Sequence, residues 1–76
     1  MKNFDMKEMG ERLRWLRNER EIGQNQLAEL LDLSNASISY WETGKQIPSA
    51  EAIFKLANFF HVSADFILGI TDWKDL

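Results

Sequence analysis

The chain has 76 residues, 45% of them hydrophobic, with a formal net charge of −3 and no cysteine. This length allows one small domain, residues 1–76, which buries only about 60% of the surface that its unfolded chain exposes. The absence of cysteine excludes a disulfide framework and a thiolate metal site. No apolar run approaches the ~18 residues of a membrane-spanning helix, so we expect a soluble, cytoplasmic protein.

The first predicted helix begins after Asp5 and extends to about Arg20. Asp5 and Glu8 fit a capping box, in which each side chain accepts a hydrogen bond from the other residue's backbone N–H. Trp15 lies off the apolar stripe of this helix, so we expect it at the edge of the core or half exposed. The stripe itself consists of Met6, Met9, Leu13 and Leu16. The helix also carries Arg12, Arg14, Arg17 and Arg20, whose simplest role is a solvated face balanced by neighbouring glutamates.

Two short predicted helices, residues 24–31 and about 35–42, come next and are joined by a tight break. We expect Asp32 to take a left-handed conformation at this break. Ala28 is small enough to allow a close helix crossing, and Leu33 can fill the corner. This spacing indicates a helix-turn-helix, whose second helix presents polar side chains to a groove in DNA. An ordinary αα-hairpin in a small bundle fits the same spacing.

Two further helices are predicted, each with a serine at its N-cap. Ser49 caps the fourth helix, whose core stripe is Ile53, Leu56, Ala57 and Phe60. Ser63 caps a short fifth helix that stops at Gly69, and residues 70–76 form a tail. The sequence thus predicts an all-α, compact bundle of about five short helices with no convincing strand.

The sequence offers little for catalysis or for a cofactor. It has no Gly-rich phosphate loop, and its carboxylates are scattered over predicted helix surfaces. The single histidine, His61, reads most simply as a surface residue at a helix end, with no other metal ligand nearby. We therefore expect neither an enzyme nor a metal or cofactor site.

Residues from about 9 to 69 resemble the Xre-type helix-turn-helix family, the DNA-binding domains of phage repressors and Cro proteins. The resemblance is carried by ERLRWLR, IGQNQLAELLDLS, SISYWETGKQIPS and KLANFFHVSADFILG, in the family's order and spacing. Each segment is weak alone, but together they are specific. The resemblance implies a lambda-repressor-like fold and sequence-specific binding of double-stranded DNA. It also implies a transcriptional regulator, most simply a repressor, that inserts its third helix into the major groove.

The resemblance further implies which residues meet the DNA. Gln24 matches a glutamine that contacts a phosphate, and Ser34 begins the recognition helix, where free N–H groups can hold another phosphate. Asn35 could bind an adenine edge, and Ala36 could touch a thymine methyl. The full predicted set is Gln24, Asn25, Ser34, Asn35, Ala36, Ser37, Ser39, Tyr40, Thr43, Lys45 and Gln46. By the same resemblance, Arg17 and Glu42 form an ion pair that ties the first helix to the recognition helix.

One domain of this kind reads only a few base pairs, so we expect a homodimer on a pseudo-palindromic operator. The two recognition helices would then lie roughly 34 Å apart. The predicted dimer surface is Phe66, Ile70, Trp73 and Leu76. Alternatively, these residues close the core of a monomer.

Charge is the main departure from the family pattern. No lysine or arginine lies between Ile22 and Gly44, whereas Glu29, Asp32 and Glu42 do. We therefore expect weak non-specific DNA binding with a shallow salt dependence. The acidic balance favours an alternative, a protein-interaction module such as an antitoxin or adaptor with a protein partner. The short polar side chains after Ser34 favour DNA, because protein interfaces prefer large aromatic anchors.

Overall fold

The computed structural model describes residues 3–73 and shows five helices in that range. Their bounds are α1 Met6–Glu19, α2 Gln24–Leu31, α3 Asn35–Glu42, α4 Ala50–Phe60 and α5 Ala64–Leu68. All five predicted helices are therefore present, which confirms the all-α fold. The first helix ends one residue earlier than predicted, because Arg20 is its C-cap.

Each helix except α2 begins at a side chain that caps it. Asp5 Oδ1 accepts hydrogen bonds from the backbone N–H groups of Lys7 and Glu8, at 3.0 and 3.1 Å. Ser34, Ser49 and Ser63 do the same for the residue three positions later. These bonds satisfy backbone donors that have no partner within the helix.

The predicted capping box also requires a hydrogen bond from the Asp5 N–H to the Glu8 side chain, and the structure shows a different partner for Glu8. The Glu8 carboxylate accepts a hydrogen bond from Arg12 Nη2 at 2.8 Å instead of turning back toward Asp5. This is an i,i+4 pair on the surface of α1. The arginine competes well with a backbone N–H, because both members of the Glu8–Arg12 pair are ionised.

The helices end where the backbone turns left-handed. Asp32 has φ 54° at the end of α2, as predicted, and His61 has φ 56° at the end of α4. Gly44 and Gly69 have φ 74° and 89° after α3 and α5. A left-handed residue directs the chain away from the helix axis, so the next helix can pack across the last one.

The core draws one fully buried large side chain from every helix: Met9, Leu27, Ile38, Leu56 and Ile67. Burying each of these stabilises the fold by about 1.5–3 kcal/mol relative to leaving it exposed. Of the residues that the periodicity predicts in the core stripes, Met6, Ile53 and Ala57 are only half buried.

A glycine sets the distance between α1 and α3. A Cβ placed on Gly10 would lie 2.7 Å from the carbonyl oxygen of Glu42 and would also overlap the carbonyl of Trp41. The backbone of α1 therefore rests directly on the last turn of α3. This contact fixes the position of α3 relative to the rest of the bundle.

Candidate DNA interface

The turn between α2 and α3 is held by backbone hydrogen bonds and by packing. The Leu33 N–H donates to the Ala28 carbonyl at 2.8 Å, which closes the left-handed turn at Asp32. Ala28 is buried, and the half-buried Leu33 packs against the core. The corner residues thus fix the angle at which α3 leaves α2.

The first turn of α3 is open to solvent and chemically suited to DNA. The Ser34 hydroxyl accepts from the Ser37 N–H at 3.0 Å and still has its own proton to donate. The N–H groups of Asn35 and Ala36 are the first of the helix, so they have no partner within it. Both side chains are exposed. An amide, a methyl and a set of free donors at a helix N-terminus can bind base edges and a phosphate.

Further along α3, the predicted contact residues are less accessible. Ser37 and Ser39 are half buried, whereas Tyr40 is 42% exposed. The exposed polar surface of α3 therefore narrows to its first turn and the tyrosine.

The last residue of α3 lies in a buried charge cluster. The Glu42 side chain is 1% exposed and accepts from Arg17 Nε at 2.7 Å and Arg17 Nη2 at 2.9 Å. Arg14 Nε lies 3.5 Å from the same carboxylate. Arg17 also donates to the Ile22 carbonyl at 2.9 Å, which ties the α1–α2 link to the pair. This bidentate geometry is the strong form of an arginine–carboxylate contact.

The pKa values of Glu42 and Arg17 reflect both their burial and their contact with each other. Burial by itself raises the pKa of Glu42, but hydrogen bonds from Arg17 and Gln24 and the charge of Arg17 outweigh it. The pKa of Glu42 therefore lies below its ordinary value. The hydrogen bond and charge of Glu42 raise the pKa of Arg17. Both groups stay ionised near neutral pH, so the cluster keeps its charges when the bundle folds.

Gln24 contributes to this cluster, although the resemblance implies a phosphate contact. Its Nε2 donates to Glu42 Oε1 at 3.1 Å, and the side chain is half buried. Its second N–H remains the donor with which it would meet a phosphate. Asn25, the next residue, is exposed.

The loop after α3 offers exposed side chains on an ordered backbone. The backbone N–H groups of Lys45 and Gln46 both point to the Tyr40 carbonyl, at 2.8 and 3.4 Å, and both side chains are exposed. The Thr43 hydroxyl donates to the Ser39 carbonyl at 2.9 Å. That proton is engaged within the helix end, so Thr43 has less to offer a phosphate than the resemblance implies.

Sequence reasoning missed a lysine beside this loop. A Cβ on Gly44 would lie 3.0 Å from the Cα of Lys7, so the start of α1 touches the loop. Lys7 is exposed. Its position depends on how α1 crosses α3, which no local pattern near residue 7 reveals.

The predicted dimer residues fall into different environments. Phe66 is half buried, with its ring edge-to-face against Trp15 at 6.5 Å between centroids. Ile70 and Trp73 are 66% and 72% exposed. Leu76 lies outside the described residues.

Among residues 3–73, no helix is both long and apolar enough to cross a membrane. Within the same range, the structure places no group of three or more potential metal ligands together.

Comparison with known proteins decides the family. A family model described as helix-turn-helix matches residues 13–67. The chain belongs to the helix-turn-helix family. This confirms the resemblance that the four sequence segments indicate, and it places both α2 and α3 within the matched region.

Several relatives share this helix-turn-helix region. The chain is 41% identical over 61 residues to the HTH-type transcriptional activator BcrR of Enterococcus faecalis, covering 80% of this chain and 30% of that protein. It is 35% identical over 60 residues to repressor protein C2 of Salmonella phage P22, covering 79% of this chain and 28% of that protein. The chain therefore spans less than a third of either relative.

Solved helix-turn-helix structures are also similar. The P22 c2 repressor, solved in complex with a synthetic operator, is 35% identical with a TM-score of 0.75, covering 79% of this chain and 91% of that chain. The restriction-modification controller protein C.AhdI of Aeromonas hydrophila is 30% identical with a TM-score of 0.76, covering 83% and 96%. Both confirm the repressor-like fold.

Proposed function

We propose that the chain is a sequence-specific DNA-binding domain of a transcriptional regulator. Its third helix, α3, enters the major groove of double-stranded DNA and reads bases with its first turn. The observation that carries the proposal is the division of α3: an exposed, polar N-terminal turn and a C-terminal end fixed to α1. The similar P22 c2 repressor was solved on operator DNA. Occlusion of a promoter, and so repression in the cytoplasm, is the simplest consequence of such binding.

The first turn of α3 supplies three kinds of contact. The Asn35 amide binds the N6 and N7 edge of an adenine, and the Ala36 methyl packs on a thymine methyl. The Ser34 hydroxyl and the free N–H groups of the turn hold a phosphate between them. These groups carry no formal charge, so the sequence preference comes from hydrogen-bond geometry and methyl contact.

The charge cluster reduces the negative charge that the motif would otherwise present to DNA. Glu42 is one of three acidic residues in the motif, but the largely buried Arg17 and the exposed Arg14 neutralise it. Exposed cations flank the motif at Lys45 and Lys7. With few lysines and arginines on phosphates, non-specific affinity stays low and falls only gently with salt.

The proposed DNA-binding form is a homodimer on a pseudo-palindromic operator. Ile70 supports this, because a large apolar side chain that is 66% exposed does not close the core of its own domain. Of the predicted dimer residues, Phe66 packs instead on Trp15 within the chain. The dimer surface is therefore centred on Ile70.

Selection of bound duplexes from a random DNA pool at moderate salt tests the function. We expect an enriched pseudo-palindrome whose half-site centres lie about one helical turn apart, 10–10.5 base pairs, or a multiple of it. A pool that shows no enriched sequence after repeated selection contradicts the proposal. The variant Ser34→Pro, which removes the capping hydroxyl at the start of α3, serves as the non-binding control.

A further inference from the structure

A groove between α1 and the segment after α5 has the size and lining of a small-molecule site. It has a volume of about 710 Å³, within the range of about 300–1,000 Å³ for ligand pockets. Its apolar walls are the rings of Trp15, Phe66 and Trp73. Trp73 is 72% exposed, which leaves most of its ring surface for an incoming group.

The rim of this aromatic groove is acidic. Among the described residues that line it, Glu8, Glu11 and Asp72 are negative and Arg12 is positive. The Glu8 carboxylate already accepts from Arg12 Nη2 at 2.8 Å, so it balances that charge locally. The described residues of the lining carry two more negative than positive groups, which favours a cation and disfavours an anion.

The groove already holds one cation against an aromatic face. The Arg12 guanidinium carbon lies 5.9 Å from the centroid of the Phe66 ring, within the distance of a cation–π contact. Arg12 Nη2 is 4.0 Å from Asp72 Oδ1, so the chain itself combines an aromatic face with carboxylates around a positive charge. Tryptophan is the best of the aromatic side chains for such contacts, and Trp73 supplies an exposed one.

We propose that this aromatic groove binds a small hydrophobic organic cation. Its apolar groups lie between Trp15 and Trp73, and its positive charge faces Glu11 and Asp72. Ile70, the centre of the proposed dimer surface, is not among the residues that line the groove. A second copy of this chain is a poorer occupant of the groove itself, since it would bring the same acidic rim and a net charge of −3.

The groove lies on the opposite side of α1 from α3. Residues 8, 11, 12 and 15 share one face of the helix because they are spaced by three and four residues. Gly10, Arg14 and Arg17, which contact the end of α3, form a second face. At 100° per residue, the two faces are about half a turn apart. A cation in the groove therefore does not occupy the surface proposed for DNA.

Calorimetric titration with tetraphenylphosphonium, and with tetraphenylborate as its anionic counterpart of the same shape, tests the proposal. We expect tetraphenylphosphonium to bind with a sub-millimolar Kd and tetraphenylborate at least about tenfold more weakly. Trp73→Ala should weaken the cation about tenfold and Glu11→Gln about threefold. Phe54 is another exposed aromatic residue, but it lies on α4 and does not line the groove. Phe54→Ala should therefore leave the Kd unchanged.

Three results would overturn the cation site. They are no binding of tetraphenylphosphonium, equal binding of the two ions, and cation binding that Trp73→Ala and Glu11→Gln leave unchanged. Thermal unfolding of each variant, followed by circular dichroism, shows that the domain is folded in every titration.

Discussion

The two ends of α3 differ in almost every physical property. Its first residues, Asn35 and Ala36, are exposed and uncharged, and their N–H groups have no partner within the helix. Its last residue, Glu42, has a side chain that is 1% exposed and is bonded to two residues of other helices. The carboxylate of α3 therefore positions the helix, and its neutral groups are left to contact a ligand. A reading helix needs both parts, because a mobile helix cannot hold hydrogen-bond geometry at a base edge.

Removing the buried carboxylate at the C-terminal end of α3 should have the largest effect on stability. Glu42→Ala removes the carboxylate and leaves the Arg17 guanidinium without its partner in a largely buried site. Loss of one partner of a buried pair costs about 3–5 kcal/mol, which we expect to see as a lower free energy of unfolding in urea.

A double variant, Arg17→Met with Glu42→Met, is the matched control. It removes both charges and keeps apolar volume, so it should be less destabilised than Glu42→Ala alone. If Glu42→Ala costs less than about 1 kcal/mol, as exposed ion pairs do, the buried cluster does not hold α3 in place.

The α1–α3 contact at Gly10 gives the next effect. Gly10→Ala places a methyl against the backbone carbonyls of Trp41 and Glu42, which have no side-chain freedom to move aside. We expect a loss of about 1–3 kcal/mol in the free energy of unfolding, despite the better helix propensity of alanine. Gly23→Ala, with nothing within 4 Å of the new Cβ, should change it by less than about 1 kcal/mol. Equal effects of the two substitutions would show that the helices do not touch at Gly10.

Low pH should weaken the contact between Glu42 and Arg17 at the C-terminal end of α3. The pKa of Glu42 is lowered in the folded state, so its contribution to stability is present above its ordinary pKa near 4.5. That contribution is lost as the pH falls through the lower folded value, because the unfolded chain then binds a proton more readily. The melting temperature of the natural chain should drop more steeply below pH 4.5 than that of the Arg17→Met, Glu42→Met variant. Parallel curves would contradict the assignment.

The lysine beside the loop should give a smaller effect, visible in salt dependence. Lys7→Gln removes one cation next to residues 43–46, so the slope of log affinity against log salt should fall by about 1. Lys55→Gln, on α4, is the control with the same charge change and should leave the slope as it was. The slope measured for the natural chain should also be shallow. A slope that corresponds to six or more neutralised phosphates per subunit would show that the DNA-binding surface is not largely uncharged.

The local features of this fold could be predicted from the sequence, whereas its long-range contacts could not. The serine caps, the left-handed Asp32 and the stop at Gly69 depend on contacts within about four residues. The helix bounds could therefore be predicted to within a residue. The bond from Gln24 to Glu42 joins residues 18 positions apart and depends on how the helices cross.

Gly10 offered one usable signal before the structure. A glycine inside a helical pattern costs stability and so points to a close contact, but the pattern cannot say with what. The position of Lys7 against the loop has no such signal.

The central claim is that the first turn of α3 reads bases, and Asn35→Ala tests it most directly. Affinities of the natural chain and the variant should be measured for the selected duplex and for every single-base change in one half-site. We predict a loss of about 1–3 kcal/mol on the selected duplex and a relaxed preference at one base position only, because one bidentate contact has been removed. Equal weakening on every duplex would contradict the claim and would place Asn35 on the DNA backbone.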